Sequence, residues 1–434
     1  MITARAWAGR HYAVLGLARS GLATVEALLA SGAQVTAWDD REEARAKILP
    51  GRGEDLVLSD LNQADLSQFD SIVVTPGLPL NRHPIAARAM AAGVEIIGDI
   101  ELFARARPEL PPHMVVGITG TNGKSTTTAL IHHILQTAGV PSLMGGNIGL
   151  PILSQDPLPE GGVYVLELSS FQIDLTQTLD CDVAVLLNIT PDHLDRYESF
   201  EAYATSKGRL FEMQSAASLG VVSEGSENVE HAEPALQIAQ TRSSNLKVFV
   251  PCAYESDDRQ VLAGPHNAEN VGAAHQACMR LGIPEDVVWA AVQTYPGLPH
   301  RMERIRDRNC VLFVNDSKAT NPEAAAPALA AFPRVRWIVG GQAKSNDLGD
   351  TAKHLGHVVQ AYTIGESGPM FAALLRAKGI TVTQAETLEN AVNRASEDSQ
   401  PGDTVLLSPA CASFDQFRDF EARGDAFRQW VGEL

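Results

Sequence analysis

Basic side chains are in short supply. Of 434 residues, 34 are Lys or Arg and 52 are Asp or Glu, for a formal charge of −18. Such a surface repels phosphodiester backbones and anionic lipid, so neither nucleic acid nor a membrane is expected as a partner. Anionic small molecules would have to be held by local dipoles and a few placed cations. Cysteine is also sparse. Cys181, Cys252, Cys278, Cys310 and Cys411 are scattered, odd in number and never in Cys-x-x-Cys. They are expected to be reduced core residues of a cytoplasmic protein, with neither a disulfide framework nor a metal cluster. No apolar run approaches the ~20 residues of a membrane span. The stretch Met1 to Arg10 leads into the strand-like Tyr12-Ala13-Val14-Leu15 rather than a secretory apolar core with a cleavage site. What is plentiful is apolar residues, 45% of the chain. That suffices for several cores without staples, and the length suggests about three domains at roughly 150 residues each.

Short apolar runs alternate with amphipathic stretches. In the first segment Tyr12–Leu15, Gln34–Trp38 and Ser71–Thr75 read as strands, with a helical pattern at Leu22, Val25, Leu28 and Leu29. This βαβ alternation argues for a parallel sheet. A proline cluster, Arg107-Pro108-Glu109-Leu110-Pro111-Pro112, suits a linker. Beyond it, Met114–Ile118, Val163–Leu166, Val183–Asn188, Gly220–Ser223 and Lys247–Val250 read as strands. A second proline-rich hinge, Tyr295-Pro296-Gly297-Leu298-Pro299, precedes further strands at Val311–Asn315, Val335–Gly340, Ala361–Ile364 and Thr404–Ser408. Three α/β domains are therefore expected, at 1–107, 108–297 and 298–434. The hinge is where backbone rotation could close the third domain on the others.

The strongest local signal is Gly117-Ile118-Thr119-Gly120-Thr121-Asn122-Gly123-Lys124-Ser125-Thr126. It follows an apolar strand and opens a helix, the setting of a phosphate-binding loop. Glycines let backbone N–H groups converge on phosphate oxygens, and the helix start adds a favourable dipole. Lys124 is placed for the β- and γ-phosphates, and Ser125 or Thr126 for Mg²⁺. The strict G-x-x-x-x-G-K-[ST] spacing fails, because Ile118 stands at its first glycine. A second glycine turn, Gly16-Leu17-Ala18-Arg19-Ser20-Gly21 with Asp39 about twenty residues on, mimics a dinucleotide fingerprint, although Ala18 replaces its middle glycine.

The departure at Ile118 is informative, since Gly120-Thr121-Asn122-Gly123-Lys124-Ser125 resembles the loop of the ATP-dependent Mur ligases and of folylpolyglutamate synthases. Four more stretches extend the resemblance along the whole chain: Glu167-Leu168-Ser169-Ser170-Phe171-Gln172, Asn188-Ile189-Thr190-Pro191-Asp192-His193-Leu194-Asp195-Arg196, Asn315-Asp316-Ser317-Lys318-Ala319-Thr320-Asn321, and Leu407-Ser408-Pro409-Ala410-Cys411-Ala412-Ser413 running on to Phe420-Glu421-Ala422-Arg423-Gly424. Together they resemble the Mur ligase that couples D-glutamate to UDP-N-acetylmuramoyl-L-alanine in peptidoglycan precursor synthesis. The last stretch separates it from the other muramyl ligases, and the UDP-sugar domain in front from the folate enzymes.

The resemblance implies N- and C-terminal Rossmann-like parallel sheets flanking a central P-loop ATPase-type domain, acting as a cytoplasmic monomer. It implies an ATP-dependent amide ligation through an acyl phosphate, with two Mg²⁺ ions. Glu167 and His193 match family metal ligands beside Ser125 and Thr126. Lys207 matches a lysine carbamylated by CO₂, an anionic ligand near the second metal. Asn267, Asn270, Arg301 and Asp316 match ATP contacts, and Lys318 reaches the γ-phosphate. Thr320, Lys344, Ser413 and the Phe420 backbone match the D-glutamate pocket, with His193 nearby. The turn at Arg19 and Ser20 serves the UDP diphosphate, Asp39, Asp40 and Arg41 the uridine, and Thr75 and Asn147 further sugar-nucleotide contacts. By residue type alone, Glu167 could be a capping group, His193 a turn residue, Lys207 a solvated helix lysine and Lys318 half of a surface ion pair. A nicotinamide dehydrogenase or a non-ligating nucleotide switch would explain one glycine loop each and leave the C-terminal stretch unexplained.

Overall fold

A computed structural model describes residues 1–48, 55–192, 195–223, 245–249 and 265–434, together with 237 and 262. The chain divides into two compact units, Met1–Cys252 with Glu269–Val292 and Ala253–Ala268 with Gln293–Leu434.

The first unit holds two parallel sheets. One has the spatial order Leu56–Leu58, Gln34–Trp38, His11–Leu15, Ser71–Val74, Glu95–Ile97. The other runs Leu246–Phe249, Leu219–Ser223, Val183–Leu186, His113–Thr119, Gly162–Glu167, Ser142–Gly146. Central strands such as Val183–Leu186 and Gly162–Glu167 are buried along their whole length, which explains their unbroken apolar runs. The strands missing from the sequence reading, Leu56–Leu58, Glu95–Ile97 and Ser142–Gly146, are short and all lie at sheet edges. There half-exposed positions dilute the apolar signal.

One continuous core joins the two sheets, from Val14, Leu28 and Phe103 to Val115, Leu166 and Leu210. Glu101, fully buried in the helix Asp99–Ala106, reinforces the join. Its carboxylate accepts from Arg105 Nε (2.8 Å), from the Gln177 and Thr178 amides (2.7 and 2.9 Å) and from the Thr178 hydroxyl (2.9 Å). The proline cluster expected as a linker forms a 3₁₀ turn, Arg107–Glu109, directly after that helix.

The second unit carries the third sheet, in the order Glu303–Arg308, Val311–Asn315, Thr404–Leu407, Val335–Gly340, Val358–Ile364, Val382–Glu386. Alternating side chains feed two cores. Trp337 and Val339 face one with Phe371 and Leu375, while Ile338 faces the other with Phe313, Tyr362 and Phe427. The expectation of an all-parallel sheet needs correction at one edge, where Glu303–Arg308 pairs antiparallel with Val311–Asn315. The cause is a two-residue hairpin turn. Asn309 and Cys310 both have positive φ, 55° and 60°, the geometry that matches strand twist in such turns. The charge-rich Glu-Arg-Ile-Arg-Asp-Arg sequence hides this strand from any reading based on apolar runs.

Glu101→Ala would leave two amides and Arg105 without their shared acceptor. A loss of roughly 3 kcal/mol is expected. The check is an earlier urea midpoint for Glu101→Ala than for an exposed control such as Glu160→Ala.

Candidate active site

The glycine loop links the strand His113–Thr119 to the helix Lys124–Thr137, as its sequence requires. Gly123 caps that helix in the left-handed region (φ 83°), and a Cβ there would meet Asn270 Oδ1 at 2.2 Å. Both facts demand glycine. Lys124 folds over the loop, donating from Nζ to the carbonyls of Gly120 (2.7 Å) and Thr121 (2.6 Å). The Thr121 and Asn122 amides donate to Asn188, to its carbonyl (2.8 Å) and its Oδ1 (2.9 Å) respectively. The helix Lys124–Thr137 starts beside this loop and adds its dipole there.

Glu167 ends the strand beside the loop and is buried. Its Oε2 accepts from Ser125 Oγ at 2.5 Å and its Oε1 from Asn147 Nδ2 at 3.0 Å. A buried carboxylate and a hydroxyl at the loop end are a hard-oxygen donor set suited to Mg²⁺. Thr126 is half-buried next in the helix. Asn147, expected at the sugar nucleotide, is thus tied to Glu167, and its amide also donates to the Glu167 carbonyl (2.8 Å).

Lys207 lies in the helix Phe200–Glu212, whose N-cap Ser199 accepts from the Ala202 amide. Instead of a solvated lysine it is 1% exposed. Its Nζ donates to the Gly120 carbonyl at 2.9 Å and sits 4.5 Å over the Tyr203 ring, one turn back. Burial, aided by the positive charge of Lys124, holds its amine well below the usual lysine range; Asp192 and Asp174 oppose this in part. Tyr203 in turn bonds the Thr121 hydroxyl at 3.2 Å. Lys124, Ser125, Glu167 and Lys207 therefore gather around one loop. Asn270 joins them through Thr127 (3.1 Å), and Asn267 is buried one turn earlier in the same helix, Pro265–Arg280. His193 lies outside the described residues.

In the first domain, the Gly16 turn is built by exclusion. Gly16 has φ 97°, and a Cβ would come within 2.3 Å of Thr75 Oγ1. Arg19 and Ser20 open the helix Arg19–Ala30 that follows. Asp39 is buried and engaged by the backbone, accepting from the Leu17 amide (2.8 Å) and from the Arg41 amide (3.0 Å) and Nε (3.2 Å). Burial would raise its carboxyl, but Arg41 and the two amides outweigh it and hold it below the usual carboxylate range. Its place is to brace the turn, while Asp40 and Arg41 are exposed beside it.

In the second unit, Asp316 directly follows the strand Val311–Asn315 and is buried, accepting from Ser408 Oγ (2.8 Å) and the Met302 amide (3.2 Å). Burial pushes it up to about 7, against hydrogen bonds from Ser408 and Met302 and the charges of Arg301 and Arg423. Lys318 follows, its Nζ 4.6 Å over the Phe420 ring, and Thr320 is half-buried just beyond. The segments carrying Lys344 and Ser413 are paired through Gln342 and Ala412, which exchange backbone hydrogen bonds of 2.9 Å each way. Lys344 is exposed and Ser413 buried.

Comparison with known proteins gives this geometry a family. Residues 118–278 match the Mur ligase middle domain, 300–411 the Mur ligase glutamate ligase domain, and 10–98 the N-terminal domain of MurD-like Mur ligases. The UDP-N-acetylmuramoylalanine–D-glutamate ligase of Novosphingobium aromaticivorans is 58% identical over all of this chain and 97% of its own length. The chain belongs to the Mur ligase family. Among solved structures, MurF ligase of Thermotoga maritima in complex with ADP shares the fold at TM-score 0.62 and 17% identity, covering 99% of this chain and 97% of that one. A bifunctional folylpolyglutamate synthase/dihydrofolate synthase of Yersinia pestis, complexed with AMPPNP and Mn, has TM-score 0.56 and 18% identity. It covers 77% of this chain and 93% of that one.

Several residues of this Mur ligase stand in the noted stretches without having been given a role. Asn188 pins the glycine loop, and its Nδ2 reaches Glu269 Oε2 (3.2 Å), a carboxyl raised by burial. Asn315 Nδ2 donates to the Gly424 carbonyl and to Glu303, both at 3.1 Å, and lies 3.0 Å from His300 Nδ1. Arg423 is 1% exposed and binds Ser317 Oγ (3.0 Å) and the carbonyls of Ser317 (2.7 Å) and Cys411 (3.0 Å). Its Nη1 is buried without a hydrogen-bond partner among the described residues.

Asp316 supplies a test. Between the unfolded carboxyl value near 4 and the folded value of about 7, the native state binds more protons than the unfolded chain. Stability from this group therefore falls as pH rises through that window. Asp316→Asn removes the effect, so its thermal midpoint relative to the native chain should be higher at pH 8 than at pH 5. An equal difference at both pH values would count against a raised Asp316.

Proposed function

We propose that this Mur ligase is an ATP-dependent amide ligase that adds D-glutamate to UDP-N-acetylmuramoyl-L-alanine, in peptidoglycan precursor synthesis in the cytoplasm. The observation that carries the reading is the meeting of Lys124 and Lys207 at one carbonyl beside the Ser125–Glu167 pair, in a chain 58% identical to a ligase of that name.

The chemistry follows from a poor electrophile. The L-alanine carboxylate cannot expel oxide, so one of its oxygens attacks the γ-phosphorus of ATP and ADP departs. The amine of D-glutamate then attacks the acyl-phosphate carbon and loses a proton. The tetrahedral oxyanion collapses to the amide with loss of inorganic phosphate. Lys124 neutralises charge on the transferred phosphoryl group, and Lys318 meets the acyl phosphate or its tetrahedral successor. Asn267, Asn270, Arg301 and Asp316 hold the nucleotide. Arg19, Ser20, Asp40, Arg41, Thr75 and Asn147 receive the UDP-sugar around the turn that Asp39 braces. Lys344, Ser413, Thr320 and the Phe420 backbone hold the two carboxylates of D-glutamate.

Ser125, Thr126, Glu167 and His193 are the side chains that would hold Mg²⁺, which when bound neutralises phosphate charge. Lys207 completes that set as a carbamate. The nitrogen of its uncharged amine adds to the carbon of CO₂ and loses one proton, giving an anionic oxygen donor in place of the amine. Only an uncharged amine can do this, and burial beside Lys124 disfavours the charged form.

Phosphate release from ATP and Mg²⁺ should require both UDP-N-acetylmuramoyl-L-alanine and D-glutamate, and the product mass should show one added glutamate. Hydrolysis indifferent to either substrate would favour a nucleotide switch. L-Glutamate should be poorer by roughly a hundredfold or more in kcat/KM, since a misplaced amine of about 1 Å costs that much. Lys124→Ala should lower kcat by about a hundredfold or more. Labelling with ¹³C-bicarbonate should yield a carbamate resonance that is lost in Lys207→Ala; its absence from the native enzyme would remove Lys207 from the ligand set.

A further inference from the structure

Three backbone segments of the last domain approach so closely that side chains are excluded between them. A Cβ on Gly340 would lie 2.0 Å from the Ile364 carbonyl oxygen, and one on Gly341 2.3 Å from that of Ala412. One on Gly365 would lie 2.1 Å from Asp415 Oδ2 and 3.0 Å from the Gly341 Cα. The segments are the strand end running into Lys344, the turn Gly365-Glu366-Ser367-Gly368, and the loop that carries Ser413.

Ser367 occupies the middle of this junction and is buried. Its amide and its hydroxyl both donate to the Gly341 carbonyl (2.9 and 2.7 Å), and the hydroxyl accepts from the Ala343 amide (2.9 Å). Asp415 ties the other side. Its Oδ2 accepts from the Glu366 amide (2.9 Å), and the next residue, Gln416, donates from Nε2 to the Glu386 carbonyl (2.7 Å). Lys344 directly follows Ala343, and Ser413 directly follows Ala412, whose backbone is paired with Gln342. The ammonium and the hydroxyl expected to grip a dicarboxylate therefore both hang from the junction within one residue of its fixed points.

We propose that Ser367 and Asp415 are positioning residues for the amino-acid substrate, setting the separation of Lys344 from Ser413 through the Gly365–Gly368 turn without touching the ligand. This rests on the reading of Lys344 and Ser413 as the D-glutamate pocket. A dicarboxylate has a set span, so its two grips must keep a set distance for the amine to arrive in line. Asp415 is itself an acid two residues from Ser413, and its bond to the Glu366 amide holds its charge on the turn instead of on an anion pocket.

The test is steady-state kinetics on the full chain, varying each substrate in turn. Asp415→Ala should lower kcat/KM for D-glutamate by roughly 30-fold or more while KM for ATP and for the UDP-sugar stays within about twofold. Asp415→Asn keeps an acceptor oxygen and should recover most of the loss. Ser367→Ala should show the same selective defect, and it decides the matter if Asp415→Ala does not fold. Unchanged D-glutamate kinetics, or a rise in KM for all three substrates together, overturns the proposal. Lys344→Met and Ser413→Ala separate the two readings. If they leave D-glutamate unaffected, the pocket assignment fails; if they impair it while Asp415→Ala and Ser367→Ala do not, only the positioning role fails.

Discussion

Two lysines share one carbonyl oxygen. Lys124 and Lys207 both donate to Gly120 O, from different helices and within 3 Å. Two ammonium ions cannot sit together at a buried point without cost, because the low local dielectric that strengthens each hydrogen bond also strengthens their repulsion. Lys207 is 1% exposed, and burial beside Lys124 disfavours its charged form. The loop around them has to hold this arrangement, and it is pinned accordingly: Asn188 takes the Thr121 and Asn122 amides, while Tyr203 and the Thr190 backbone hold the Thr121 side chain.

The same device recurs in each domain. Where one segment must run close to another, a glycine removes the side chain and a polar residue occupies or braces the gap. Asp39 braces the Gly16 turn, whose φ of 97° and proximity to Thr75 leave no room for a Cβ. Asn270 fills the space beside Gly123 and Asp415 that beside Gly365, while Ser367 braces Gly341 through its carbonyl. The expected ligand-binding glycine motifs thus also serve as close-packing devices.

Much of the fold was legible because central parallel strands are buried on both faces. Gln34–Trp38, Val311–Asn315 and Val335–Gly340 agree with their apolar runs residue for residue. Edge strands were not legible. Glu303–Arg308 carries five charged residues among six and is recognisable only through its partner and its hairpin turn. Residues of the candidate site followed the same division. Gly120 to Thr126 and Glu167 announced themselves by spacing after strands, whereas Asn188, Ser317 and Arg423 act through contacts made across long stretches of chain.

From its sequence alone, this protein is an α/β chain with a phosphate loop and the Mur ligase motifs, because residue types at fixed spacing after buried strands are local properties. Only tertiary structure decided that Lys207 is buried rather than solvated, that Asp39 is consumed by the turn it braces, and that Asp316 is raised toward neutrality. Those outcomes depend on which atoms surround a charge and how much water reaches it, and residues distant in sequence supply both.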